Sequence, residues 1–330
     1  MKVIGVQFEV KPEDFSPAGY ARHIEDFYRR SDPGDLLVFP EYIGLLSGLA
    51  GTRASDLASA MRELYATHED EVKRLAGFYV GVGLPTLILL ALTDKFVNDF
   101  YQRFAELSKK YSTYTVACNS MAPFNKSGDR YLPTEGAVYN EAFIFDPNGG
   151  LVASQRKVFL TDMEKELGIS GWDLSGVSVF KVGGRGFGVA ISLDAFCPEY
   201  VSRLSGAEIV VQPDANPVKW ASYLDNGRWQ PEEWMDSSYY IAQRLGSVKY
   251  VVNPFLVGSI LGVEFEGQSN ITKKASAKDV KLGYIGNIPV TGFHSILPAG
   301  SFEPTEFVGR EEASNSAISY SDGVVCIEVP

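Results

Sequence analysis

Cysteine is scarce in this chain: there are three, Cys118, Cys197 and Cys326, far apart. That excludes a disulfide framework and a Cys-rich zinc site, and it suits a reducing cytoplasm. Histidine is equally scarce, with only His23, His68 and His294. None stands in a metal-binding spacing such as His-Glu-x-x-His, so each reads as structural and no metal is expected. A Ser-His-Asp hydrolase is poorly supported, because no Gly-x-Ser-x-Gly elbow is present. Basic residues are outnumbered, 30 against 41 acidic, for a net charge of −11. A broad nucleic-acid or anionic-membrane surface needs the opposite balance. Long apolar runs are missing too. The most apolar stretch, Phe78 to Leu92, is shorter than the ~20 residues of a spanning helix. Gly81, Gly83 and Pro85 interrupt it, so it reads as a packed core segment or an apolar lid. The N-terminus lacks the apolar length of a secretion signal. The glycine-rich Gly183–Gly188 segment runs into a strand rather than a helix, which argues against a dinucleotide loop and leaves a tight turn. No cofactor is called for.

What remains is an ordinary globular composition, 45% hydrophobic and 22% charged over 330 residues. Short Val- and Ile-rich runs bounded by turn formers read as buried strands: Val3–Phe8, Leu36–Phe39, Thr113–Ala117, Ala142–Phe145, Gly188–Ile191, Glu208–Val211, Val248–Val252 and Val324–Val329. Helical spacing appears between them. Tyr20, Ile24 and Phe27 share one face, as do Phe100, Phe104, Leu107 and Tyr111. Pro231 opens a third helix, with Trp234, Ser238, Ile241 and Leu245 along one side. Strands alternating with helices predict an α/β architecture. No internal repeat and no Pro/Ser/Gly-rich linker divides the chain, so one domain with elaborations is expected. Its main body would span residues 1–272, with a helix-rich insertion at about 45–98. Residues 273–330 would form an extension packed on the same domain or on a dimer partner.

Three segments carry candidate chemistry. In Leu36-Leu37-Val38-Phe39-Pro40-Glu41-Tyr42 an apolar strand ends in a carboxylate, and a desolvated carboxylate at a strand tip can serve as a general base. A surface glutamate fits the same spacing. In Asn140 to Leu160 a strand, an Asp146-Pro147-Asn148-Gly149 turn and a second strand form a hairpin that delivers Lys157. A buried ammonium there can hold a developing oxyanion, although a solvated lysine fits equally. In Gly188 to Tyr200 an apolar strand breaks at Ser192, and Asp194 precedes a helix start near Pro198-Glu199. Such an elbow exposes its apex side chain and turns backbone N–H groups toward the same space. Asn216, Pro217 and Trp220, with Trp229 and Trp234 beyond them, lie on a loop that can reach a pocket; core packing explains the tryptophans as well.

In this order, Phe39-Pro40-Glu41, Arg156-Lys157-Val158-Phe159-Leu160 and Ile191-Ser192-Leu193-Asp194 resemble the motifs of the nitrilase, or carbon–nitrogen hydrolase, superfamily. The likeness runs from about residue 3 to about residue 272. It implies a four-layer α-β-β-α sandwich, commonly a homodimer or a higher homo-oligomer. It also implies hydrolysis of a small-molecule amide, nitrile or carbamoyl substrate without metal or cofactor. By motif, Glu41 is the base and Lys157 the oxyanion-stabilising cation. Glu164, in Thr161-Asp162-Met163-Glu164, is the second glutamate, with Glu166 as fallback. Asn216, Trp220 and Leu193 are expected near the substrate.

One position departs from that pattern. The family's nucleophile is cysteine, and this chain has Ser192. Cys197, five residues on, is offset from the apex and reads as a core thiol. A thiol ionises at a pKa of roughly 8.5 and a neighbouring cation lowers it, whereas an alcohol is far less acidic. A chain with Ser192 should therefore be nearly inactive in amide hydrolysis. Two explanations stand: a Cys→Ser change introduced into an enzyme, or a natural residue on a non-catalytic binding module. The intact remainder of the motif set favours the first.

Overall fold

A computed structural model of the chain describes residues 1–220, 222–228, 230–273, 293–296 and 321–330. Two sheets dominate among the described residues. The larger runs in the order Asp214–Ala215, Phe255–Ile260, Lys2–Val10, Leu36–Val38, Tyr114–Met121, Tyr139–Phe145 and Leu151–Arg156. The strand Lys2–Val10 is its spine, parallel to Leu36–Val38 and to Phe255–Ile260. On one edge it pairs antiparallel with Gly323–Glu328 over residues 2–7, so the chain's last strand belongs to this sheet. The smaller sheet runs Phe293–Ile296, Asn270–Lys273, Tyr250–Asn253, Ile209–Val211, Arg185–Val189 and Phe180–Val182.

Alternation along each strand splits its side chains between two faces. Val3, Leu36, Val38, Val116 and Ile144 of the larger sheet meet Val189, Ile209, Val211 and Val252 of the smaller one in a dry core. Phe8, Leu37, Phe39 and Phe145 face the other way, with Ile24 and Phe27 of the helix Pro17–Tyr28 and Phe104 and Leu107 of the helix Gln102–Tyr111. On the far side, Val210 and Val251 pack with Val201 of Pro198–Arg203 and Ile241 of Gln230–Arg244. Helices, sheet, sheet and helices thus stack as the α-β-β-α sandwich.

The strands read from the sequence appear with shifted ends. The strand expected from Ala142 begins at Tyr139, because Tyr139 and Asn140 pair with Met121 and Ser120. The run Gly188–Ile191 ends as a strand at Val189, since the chain must turn into the elbow that follows. Residues 45–98 form helices: Leu45–Leu49, Leu57–Thr67, Glu69–Phe78, Leu84–Ala91 and Thr93–Phe96. None of the described helices is long and apolar enough to cross a membrane. His23 is buried between Asp14 and Asp322, His68 joins two of these helices, and His294 lies in the strand Phe293–Ile296. Among the described residues no cluster of His, Cys, Asp and Glu could hold a metal. Trp229 and most of residues 274–320 lie outside the described residues.

Candidate active site

Glu41 lies just past Leu36–Val38, where the chain leaves the sheet. The turn is tight. Tyr42 adopts a left-handed backbone at φ 60°, costly for a non-glycine residue. Gly44 then hydrogen-bonds to the carbonyl of Cys118, and a Cβ there would sit 2.4 Å from Asn119. Glycine is the residue that lets this turn lie on the neighbouring strand.

The hairpin delivers Lys157 as expected. Asp146 Oδ1 accepts the N–H groups of Asn148 and Gly150, and Gly149 takes φ 79° to close the turn. Arg156, at the end of the second strand, places its guanidinium 4.2 Å from the ring centres of both Tyr139 and Trp172, which meet edge to face. Lys157 turns the other way, and its N–H bonds back to the carbonyl of Asn140. Glu164 is aimed by a capping box. Its carboxylate accepts from the N–H and hydroxyl of Thr161, while its own N–H donates to Thr161 Oγ1.

These three side chains converge in a dry site. Lys157 Nζ donates to Glu41 Oε1 and to Glu164 Oε2, each at 2.8 Å, and all three residues are at most 1% exposed. Asn140 completes the group, with its amide donating to Glu41 Oε1 at 2.7 Å and Glu164 Oε1 at 2.8 Å. Two carboxylates share one ammonium, which leaves one negative charge in excess. Burial pushes the Glu41 carboxyl up to about 7, against the opposing pull of Lys157. Glu164 stays below its ordinary value: burial would raise it, but Lys157, Asn140 and the Thr161 N–H outweigh burial. Burial would lower the Lys157 ammonium, yet the two carboxylates hold it above its usual range. The proton affinities of the two glutamates are thus pushed apart, which is how one carboxylate becomes a base working near neutrality.

The elbow follows the strand Arg185–Val189 of the smaller sheet. Ser192 opens a 3-10 helix, Ser192–Phe196, with φ 49°, another strained left-handed position, and its side chain is 4% exposed. Asp194, fully buried, accepts the backbone N–H groups of Val158 and Phe159 at 3.1 and 2.8 Å. These hydrogen bonds fasten the lysine segment to the elbow. Cys197 is half-buried and donates its thiol to the Leu193 carbonyl at 3.4 Å. Burial, with Glu199 and Asp194 nearby, raises that thiol to about 11, away from nucleophile chemistry.

The remaining expected residues are placed as follows. Leu193 is half-buried, beside Ser192. Asn216 and Trp220 are buried and turned to structural partners. The Asn216 amide bonds the carbonyls of Val218 and Glu266, and the Trp220 indole donates to Gln268 while its ring packs edge-on against Phe255. Glu166, the alternative to Glu164, is exposed, unlike the buried residues of the cluster. Asn140 and Asp194 are the residues that sequence reasoning quoted only as part of a segment. Neither type stands out by itself, since both are common at turns. The Thr161-x-x-Glu164 capping signature, by contrast, was available as a signal for Glu164.

Comparison with known proteins gives a family and a fold. The carbon-nitrogen hydrolase family model matches residues 20–246. A hydrolase from Schizosaccharomyces pombe is 28% identical over 139 residues, which is 37% of this chain and 43% of that protein. The match therefore spans less than half the length of that curated relative. Solved structures of an amidase from Nesterenkonia sp. AN1 align with the whole chain. One, in which acrylamide has added to the active-site cysteine, is 16% identical with a TM-score of 0.58 and is covered over 93% of its length. Another, a variant described as belonging to the nitrilase superfamily, is 17% identical with a TM-score of 0.58 and 92% covered. At that identity the likeness is one of fold.

Proposed function

Because the chain belongs to the carbon-nitrogen hydrolase family, we propose that its site is built to hydrolyse the carbon–nitrogen bond of a small amide, nitrile or carbamoyl compound. The nucleophile of that chemistry is a cysteine at position 192, so the chain with Ser192 is a binding-competent but nearly inactive form. The observation that carries this reading is the buried Lys157 ammonium held between Glu41 and Glu164 at 2.8 Å from each.

With a cysteine at 192 and an amide substrate, Glu41 takes the thiol proton and the sulfur attacks the carbonyl carbon. Lys157 and the N–H that follows residue 192 stabilise the oxyanion of the tetrahedral intermediate. Glu41 returns its proton to the departing nitrogen, the C–N bond breaks, and a thioester remains. A water then gives a proton to Glu41 and attacks the thioester; collapse of the second intermediate releases the acid and restores the thiol. Glu164 keeps Lys157 charged and in place. With serine, the first proton transfer fails: a carboxylate of pKa about 7 matches a thiol far better than an alcohol.

The test is Ser192→Cys with a panel of small amides, following ammonia release. Turnover in the variant and none in the parent is expected. A variant whose cysteine turns over nothing, and reacts with iodoacetamide no faster than an ordinary thiol, would leave the rival reading. That reading, a non-catalytic binding module, is favoured by Ser192 itself.

A further inference from the structure

A cavity of about 50 Å³ lies under the helical insertion, walled almost entirely by apolar side chains that include Leu49, Leu64, Leu89 and Phe265. That is several times the roughly 10–15 Å³ that one water needs. Two of its lining residues sit next to the buried cluster in sequence: Tyr42 follows Glu41, and Met163 precedes Glu164. A third, Ser120, is the only hydroxyl-bearing aliphatic side chain in the wall among the described residues. Ser120 stands directly opposite Asn140 on paired antiparallel strands. Facing residues of such a pair share a side of the sheet with Cβ atoms about 4.5–5.5 Å apart. The cavity therefore meets the site at the residue whose amide holds Glu41 and Glu164.

Ser120 is 2% exposed, and among the described residues its Oγ has no hydrogen-bond partner. A buried hydroxyl without a partner is costly to keep, and a ligand atom can relieve that cost. Outside the cavity runs a groove of about 540 Å³ along the insertion, which shares Leu57, Met61, Met163 and Leu167 with it. These four side chains form the partition, and the two methionines are the kind of flexible side chain that can move aside.

Resting on the catalytic reading above, we propose that this cavity is the acyl subsite. It takes the unbranched alkyl group of an aliphatic primary amide, with the Ser120 hydroxyl hydrogen-bonded to the amide head where it enters from the Glu41 side. Short chains fill the enclosed space; longer ones are stopped by the Met61–Met163 partition. Selectivity for an aliphatic acyl group then comes from the seam where the insertion meets the larger sheet.

Titration calorimetry of the Ser192 protein as it stands, with straight-chain amides from acetamide to octanamide, tests this without any turnover. Affinity should rise about fourfold for each added methylene and then level off. Met61→Ala, which opens the partition, should move that plateau to longer chains. Ser120→Ala should weaken every amide by roughly threefold to tenfold while leaving the melting temperature unchanged or higher, because the hydroxyl has no partner to lose. Affinity independent of chain length, or a plateau that Met61→Ala leaves in place, would overturn the subsite alone. A melting temperature several degrees lower in Ser120→Ala would overturn the hydroxyl's role. Failure of every amide to bind would overturn the subsite and remove amides from the substrates of the catalytic reading, which turnover of a nitrile or carbamoyl compound by Ser192→Cys would still uphold.

Discussion

Replacing Lys157 with methionine removes a cation from between two buried carboxylates while nearly keeping its length. In the parent, Glu41 and Glu164 are 1% and 0% exposed and each lies 2.8 Å from the ammonium. Breaking such a group from one side costs about 3–5 kcal/mol, because charge is left buried without compensation. Unfolding entropy scales as roughly 2.1 cal/mol/K per residue, or about 0.7 kcal/mol/K for 330 residues. The melting temperature of Lys157→Met should therefore fall by about 4–7 °C at pH 8. The deficit should also depend on pH in a definite direction. Without the ammonium both carboxyls titrate above their unfolded value near 4.5, so the folded variant binds more protons than the unfolded chain in the range above that value. Stability from those protons is present at acid pH and is lost as pH rises. The parent's Glu164, held below its ordinary value, works in the opposite sense, contributing above about 4.5 and less as pH falls. The gap between parent and variant should thus narrow between pH 8 and pH 5, as followed by scanning calorimetry. A shift smaller than 1 °C at pH 8, or a gap that widens in acid, would refute the view that this ammonium neutralises a desolvated carboxylate pair.

The other expectations concern the site and its supports. In Ser192→Cys, kcat/KM should rise as pH passes through about 7, since Glu41 must be ionised to accept the thiol proton and burial has raised it to that value; a rising limb near 4.5 would mean that Glu41 is not desolvated. Asp194→Ala strips the acceptor from the Val158 and Phe159 N–H groups and should cost about 2–3 kcal/mol in urea unfolding; a cost below 0.5 kcal/mol would remove Asp194 as the fastener of the lysine segment. His23 bridges Asp14 and Asp322, with Lys11 also on Asp322, and so ties the first helix to the start of the last strand. Burial would lower its pKa, but the two aspartates raise it to about 9. Its contribution is present below about 6.5 and is lost as pH rises through 9. The parent's melting temperature should accordingly drop more between pH 7 and pH 10 than that of His23→Gln, and equal drops would refute the clasp.

The layered fold was legible because short continuous apolar runs and stripes of period 3.6 dominate this chain. Val3, Leu36, Val116 and Ile209 lie in the dry core between the two sheets, and Tyr20, Ile24 and Phe27 face the larger one. The Glu41 segment was legible as a strand tip because Pro40 cannot continue the strand, and the Lys157 segment as the second arm of a hairpin because Asp146-Pro147-Asn148-Gly149 closes the turn. Relations that arise only when distant segments meet were not legible. Asn140 is an ordinary strand residue until Glu41 and Glu164 arrive on either side of its amide. Asp194 is an ordinary helix-start aspartate until the N–H groups of Val158 and Phe159 reach it.

The same distinction locates where specificity has to be sought. Glu41, Lys157 and Glu164 are set by local devices: a strand end, a hairpin and a capping box. Each works whatever the substrate is. The cavity wall is different, since it draws on Leu45 and Leu49, Met61 and Leu64, and Leu89 from three separate helices of the insertion, and on Ser120 and Phe265 from the larger sheet. Helix patterns there show apolar faces without saying that three of them leave a gap. A gap of about 50 Å³ is a few methylenes of unfilled packing, and filling even one would change affinity by about fourfold. Reaction type is therefore readable from motifs, while substrate choice depends on a packing shortfall that only the assembled helices and sheet reveal. Swapping insertion residues such as Leu64 or Leu89 should accordingly alter which amides bind and leave the pH dependence of the Ser192→Cys variant where Glu41 sets it.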